Sequence, residues 1–107
     1  MNNSILKQSD SYCKMIKRDK PCSCQAIQNR YVEELSLRIN EVYGLKTYVE
    51  DLAPMWKTLW TYKDDYMLDI IKSLPNEPKT SYDHWGLGKA FGYSNEAIKI
   101  FLEEVQY

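Results

Sequence analysis

Hydrophobic residues recur every three or four positions along most of this chain, which is the period of an amphipathic α-helix. In the first half the clearest such segment is Gln25–Tyr43, and Gly44 follows it as a residue suited to end a helix. Its apolar face consists of Ile27, Tyr31, Leu35, Ile39 and Val42. A shorter helix is predicted near Asp10–Arg18 after a frayed start over residues 1–9, and Pro21 prevents its continuation.

A second long helical pattern covers Pro54–Leu74, where proline suits the first turn because its missing N–H needs no partner there. The apolar residues form a wide stripe, as expected for a central helix with neighbours on two sides. Trp56 and Trp60 lie one helical turn apart and in line with other apolar residues, so they are predicted to face the core. Capping-box spacing inside the segment allows a break near residues 60–63.

Two stretches leave the secondary structure open. Residues 45–51 fit either a connector or a short helix. Leu35–Asn40 alternates apolar and polar side chains, so a strand and a hairpin through Tyr43 and Gly44 are the alternative to the longer helix. The clearest loop is 74–78, because it contains two prolines.

The C-terminal stretch from Thr80 to Val105 predicts two short helices joined by a three-residue turn. Thr80 or Ser81 can supply the first N-cap, with Asp83 at capping-box spacing from Thr80, and Ser94 supplies the second N-cap. Gly92 can adopt the positive φ that ends a helix. Together with the preceding segments, this pair predicts an all-α fold, a compact bundle of four to five helices ending in a helix-turn-helix-like αα-corner.

The run Leu87–Leu102 resembles the helix-turn-helix unit of bacterial and phage regulators. The positions that carry the resemblance are Gly88, Gly92, Ser94 and Ile98. The resemblance implies a dimeric transcriptional regulator that contacts DNA through Ser94, Asn95 and Lys99. Glu96, Glu103 and Glu104 on the same helix would repel phosphate. An ordinary αα-corner with the same turn chemistry is the alternative.

Composition limits the range of functions. The chain has 107 residues, a formal net charge of −1 and 27% charged residues, which predicts one globular domain (1–107) and argues against a polyanion binder. We find no signal peptide and no apolar run of membrane-spanning length, so the expected location is the cytoplasm, of the host cell if the protein is phage-encoded. The odd number of cysteines favours reduced thiols.

Candidate chemistry is sparse. Cys13, Cys22, Cys24 and His84 would together supply a Cys₃His zinc site. Their spacing gives one Cys-x-Cys pair in place of the two knuckles usual in structural zinc sites, so we predict neither metal nor cofactor. Thiol catalysis would need a cysteine beside His84 and a third orienting group. The sequence places no such groups together, and we predict that the protein is not an enzyme.

Aromatic residues are the strongest functional signal. Nine tyrosines and three tryptophans exceed what a small helical core can bury, and exposed Tyr and Trp side chains anchor protein interfaces. In the helical interpretation Tyr62 and Tyr66 border solvent, on a face turned away from the tryptophans. The predicted interface residues are Tyr62, Tyr66, Tyr82, Trp85 and Tyr93.

These patterns predict a non-enzymatic module, monomeric or homodimeric, that binds another protein or a ribonucleoprotein. Its size and style are those of phage and mobile-element accessory proteins, including anti-CRISPR-like inhibitors of host defence systems. A helix-turn-helix regulator is the alternative, and a small zinc-dependent or thiol enzyme ranks last.

Overall fold

The computed structural model describes residues 1–74 and 79–105, and it contains a three-stranded antiparallel sheet as well as helices. The elements are α1 (Asn3–Arg18), β1 (Cys22–Gln28), α2 (Asn29–Arg38), β2 (Lys46–Ala53), β3 (Trp56–Tyr62), α3 (Tyr66–Ser73), α4 (Ser81–Ala90) and α5 (Asn95–Val105). A π-helical turn, Ile39–Tyr43, continues α2. The predicted all-α bundle is therefore wrong, because the fold is mixed α and β.

The sheet has the strand order β1-β3-β2, and β3 pairs antiparallel with both neighbours. Trp60 at the middle of β3 lies opposite Cys24 of β1 on one side and Tyr48 of β2 on the other. Since β1 and β2 flank the same antiparallel strand, they run parallel to each other. The chain passes from β1 to β2 through α2 and its π-helical turn, so this connection crosses β3.

Side chains of the sheet alternate between two buried faces, because successive residues of a strand point to opposite sides. One face packs against α1 and α2 in a cluster made of Cys13, Ile16, Ile27, Leu35, Ile39, Leu45 and Leu59. The other packs against α3 and α4 in a cluster made of Cys22, Trp60, Tyr62, Met67, Ile71 and Ala90. The sheet thus separates two helical layers, each with its own core.

The predicted helix over Gln25–Tyr43 is correct only in its second part. Residues 22–28 form β1, where Gln25 and Ile27 are buried on the face that packs under α2. The helix begins at Asn29, so the alternative strand through Leu35–Asn40 is also wrong. Gly44 ends the helical segment with φ 66°, as predicted.

The predicted helix over Pro54–Leu74 is replaced by β3 and α3. Trp56 and Trp60 do share a face, but they do so because they are four residues apart on a strand. Residues 45–51, predicted as a connector or short helix, lie mostly in β2. Pairing on both sides of β3 satisfies the hydrogen bonds of its backbone N–H and C=O groups, and this outweighs the helical periodicity of the sequence.

The predicted C-terminal helix pair is confirmed as α4 and α5. Thr80 Oγ1 accepts a hydrogen bond from the Asp83 N–H at 3.2 Å, and Ser94 Oγ accepts one from the Ala97 N–H at 3.1 Å. Gly92 has φ 84° in the turn between them. At the other end of the chain, α1 begins at Asn3, earlier than the predicted Asp10.

Of the predicted loop 74–78, residues 75–78 lie outside the described part of the chain. None of the helices formed by the described residues combines the length and apolar character needed to cross a lipid bilayer.

Candidate protein-contact site

Five consecutive apolar residues, Leu52–Trp56, are exposed at the end of the β2–β3 hairpin. Leu52 is 55% exposed, Met55 76% and Trp56 40%. Singly exposed apolar residues are ordinary, whereas a continuous run weakens solubility unless a partner covers it. We call Leu52–Trp56 the hairpin tip.

The hairpin tip combines a short loop with a β-bulge that changes the direction of one side chain. Ala53 pairs with Trp56, so Pro54 and Met55 form a two-residue loop. The register shifts between Asp51 and Ala53, which leaves Leu52 as the extra residue of a β-bulge. Bulges redirect side chains and are common beside functional sites.

Met55 has φ 68°, and it is the sole non-glycine residue in the left-handed region among the described residues. Proline at the first loop position and positive φ at the second match a type II turn, whose second position normally takes glycine or asparagine. Two-residue hairpins prefer the mirror-image turns, since those follow the twist of the strands. The left-handed conformation of Met55 costs about 1–2 kcal/mol.

Neighbouring backbone holds the strained residue in place. The Met55 carbonyl oxygen accepts a hydrogen bond from the N–H of Asn29, the first residue of α2, at 2.9 Å. A surface hollow of about 500 Å³ lies beside it, lined by Gln28, Asn29, Arg30, Met55 and Trp56. The hairpin tip is therefore attached to the helical layer as well as to the sheet.

Charges near the hairpin tip are few and partly balanced. Lys57 forms an ion pair with Asp51 at the base of the hairpin. Arg30 Nε donates to Gln28 Oε1 at 2.9 Å, and its guanidinium lies 4.6 Å from the centre of the Tyr31 ring. The site thus has an apolar centre and a polar edge that includes one stacked arginine, which is the composition of a protein interface.

The predicted aromatic interface residues have different environments. Tyr62 is 6% exposed in the core on the α3 and α4 side, so its predicted position at the solvent border is wrong. A strand turns Tyr62 and Trp60 to the same face, where the helical interpretation separated them. Trp60, also 6% exposed, is a core residue as predicted, whereas the same prediction for Trp56 is wrong, because Trp56 is 40% exposed. Tyr66, Tyr82 and Tyr93 are exposed, and Trp85 is half-buried.

A second hollow, of about 360 Å³, lies between α4 and α5. Its walls include the rings of Phe91 and Tyr93, whose centroids are 6.5 Å apart, and those of His84 and Phe101, 5.1 Å apart. The hollow belongs to the contact between the two C-terminal helices.

Among the residues of the alternative nucleic-acid site, Ser94 caps α5, and Asn95 and Lys99 are exposed on α5. Glu96, Glu103 and Glu104 are exposed on that helix as well. The acidic surface that the sequence predicts around Lys99 is therefore present.

The sheet separates the cysteines. Cys13 lies in the core under α1 and α2, whereas Cys22 and Cys24 lie on the face toward α3 and α4. Burial raises the pKa of Cys13 and of Cys22 to about 11, which keeps both thiols protonated and unreactive. Within residues 1–74 and 79–105, no three His, Cys, Asp or Glu side chains come together as a metal site.

The hairpin tip is absent from the prediction made from the sequence, which places Pro54 in the first turn of a helix. Two signals were present: the β-branched and aromatic residues after Pro54 favour a strand, and proline also suits the first position of a turn. No protein-family model, curated protein or solved structure matches this chain. The geometry and exposure of its own residues are therefore the basis for assigning a function.

Proposed function

We propose that this protein is a binding module, without chemistry of its own, that holds a partner protein through the hairpin tip. The observation that carries the proposal is Met55, a strained residue that is 76% exposed. Strain and exposed apolar surface both lower the stability of the free protein. Features of this kind persist at sites of function, where binding compensates for them.

A protein partner fits the hairpin tip better than a lipid surface does. Trp, Met and Arg are enriched at the centres of protein interfaces, and the tip offers Trp56 and Met55 beside Arg30. Attraction to an anionic bilayer needs a cluster of unpaired Lys and Arg. Here Lys57 is paired with Asp51, and the net charge of the chain is −1.

Stoichiometric inhibition is one function that such a surface serves. An inhibitor of a host defence complex, of the kind that phage accessory proteins supply, needs a rigid scaffold and an apolar anchor. Attachment of the hairpin tip to β3 and to Asn29 supplies rigidity, because a pre-ordered loop loses less entropy on binding. The partner would be a protein or a ribonucleoprotein with an apolar pocket.

The test is affinity capture from the native host with tagged protein, with and without nuclease, read by mass spectrometry. The captured partner is then titrated against wild type, a Met55→Ala/Trp56→Ala variant, and a Tyr82→Ala control. Tyr82 is 85% exposed on α4 and is not part of the hairpin tip. We expect the double variant to lose more than about 1 kcal/mol of binding and the control to bind normally. The reverse result would reject the hairpin tip as the contact.

A DNA-binding regulator is the second candidate, motivated by the α4–α5 pair with its Gly92 turn and its exposed Lys99. Anisotropy titration with duplex DNA tests it. We expect weak, nonspecific binding because of the acidic surface of α5. Sequence-specific affinity tighter than about 10⁻⁸ M, lost in Lys99→Glu, would favour the regulator.

A further inference from the structure

Strand β2 leaves one edge of the sheet open. It pairs with β3 on one side, and within the described residues no strand pairs with its other side. All its residues are exposed or half-buried, including Val49 at 37% exposure, whereas most residues of β1 at the opposite edge are buried or half-buried. An open edge presents unpaired N–H and C=O groups, which are a template for another strand.

The charges along β2 are arranged to match a copy of the same strand. Lys46, Tyr48 and Glu50 occupy alternate positions and so share one face. In an antiparallel pair, directly opposite residues must also lie on one face. When Tyr48 lies opposite Tyr48 of a second copy, Lys46 of each chain lies opposite Glu50 of the other.

We propose that β2 pairs antiparallel with β2 of a second copy, centred on Tyr48, to make a two-fold dimer with a continuous six-stranded sheet. Two Lys46–Glu50 pairs flank the central tyrosines on one face. On the other face Thr47 lies opposite Val49, a pair of β-branched residues that suits a sheet. Such an interface is isologous, as in most homodimers.

The existing partners of these side chains are compatible with the pairing. Lys46 forms an ion pair with Asp65, yet its side chain remains 45% exposed. Glu50 accepts a hydrogen bond from Trp60 Nε1 through Oε1 at 2.7 Å. Its second oxygen carries the interaction with Lys46 of the other copy.

The dimer would also determine how the hairpin tips are displayed. Met55 lies seven residues beyond Tyr48, so the two tips point away from the two-fold axis. The rise per residue of a β-strand then places them roughly 45 Å apart. Two tips on one rigid particle suit a partner with two sites, where linkage raises the apparent affinity. Self-association itself does not depend on the hairpin tip, so either proposal can fail without the other.

Charge reversal on β2 tests the pairing, with sedimentation equilibrium as the measurement. Lys46→Glu places Glu opposite Glu at both ends, and Glu50→Lys places Lys opposite Lys. We expect each single variant to self-associate at least about tenfold more weakly than wild type, since two attractive cross-strand pairs become repulsive. The double variant restores both pairs and should dimerise again.

Mixing the two single variants gives the most decisive measurement. In the mixed dimer every position opposite a glutamate holds a lysine, so a heterodimer should form from two chains that separately remain monomeric. Asp65→Asn is the control, because it removes the intrachain partner of Lys46 and leaves the edge unchanged. Circular dichroism checks that each variant is folded.

Three results of the sedimentation measurements would overturn the proposal. The first is wild-type protein that stays monomeric at about 100 µM, a concentration at which a dimer with a Kd of about 10 µM or tighter is the main species. The second is single variants that dimerise as wild type does, and the third is a mixture of folded single variants without heterodimer. Amide hydrogen exchange of wild type needs no variant: protection of β2 amides should fall on dilution, and protection that is independent of concentration would also refute the pairing.

Discussion

Replacing Met55 with glycine removes a side chain from a backbone conformation that glycine adopts without strain. Relief of the left-handed conformation, φ 68°, contributes about 1–2 kcal/mol. Glycine itself lowers the free energy of unfolding by about 0.5–1 kcal/mol, because it has more conformational freedom in the unfolded chain. Little packing is lost, since Met55 is 76% exposed. The net effect is a gain in stability of about 0–1.5 kcal/mol, with a central value of about 0.75 kcal/mol, or roughly 3 °C in Tm for a chain of this size.

Met55→Ala is the matched control for this gain. Alanine removes the same exposed thioether but keeps the Cβ, so the backbone strain remains. Thermal and urea unfolding should therefore place the alanine variant within about 0.5 kcal/mol of wild type and below the glycine variant. Both variants should lose partner binding to a similar extent, since both lack the anchor.

The order of stability of the two variants shows whether the positive φ of Met55 stores strain. If Met55→Gly unfolds at a lower temperature than Met55→Ala, then the positive φ stores no strain and the main argument for the hairpin tip is lost. If the glycine variant is more stable and still binds the partner as wild type does, the strain is real but the methionine side chain is not the anchor.

Three further predictions concern buried residues of the sheet and of the contact between α4 and α5. Tyr62→Ala should lower the free energy of unfolding in urea by about 3 kcal/mol, and Tyr66→Ala should lower it by less than about 0.5 kcal/mol, because Tyr62 is buried and Tyr66 is exposed. Similar losses in the two variants would contradict this difference in environment. Gly88→Ala should lower the free energy of unfolding by about 1–3 kcal/mol, since the new Cβ would lie 2.6 Å from Ile98 Cγ1; an unchanged Tm would mean that α4 and α5 adjust without strain. Burial raises the pKa of the Cys22 thiol from 9.0 to about 11. The stability that the neutral thiol contributes is therefore complete below pH 9, and it declines as the pH rises through 11, by at most about 1.4 kcal/mol per pH unit. A Cys22→Ala variant should show a shallower decline across that window, and equal slopes would argue against this cause.

Local signals in the sequence were sufficient for the C-terminal helix pair. Thr80 and Ser94 cap the two helices as predicted, and Gly92 takes the positive φ that ends the first. Gly44 ends the earlier helical segment in the same way. A helix satisfies its backbone hydrogen bonds within about four residues, so the residues that start and stop it are close in sequence.

The strands depended on the tertiary structure. The apolar residues of Trp56–Tyr62 fit a helical stripe as well as an alternating strand, and the outcome rests on pairing with Cys22–Gln28 and Lys46–Ala53. That pairing reverses the predicted environment of Tyr62 and exposes the residues around Met55. A strand has its hydrogen-bond partners elsewhere in the chain, so the same residues cannot specify its state until those partners are in place.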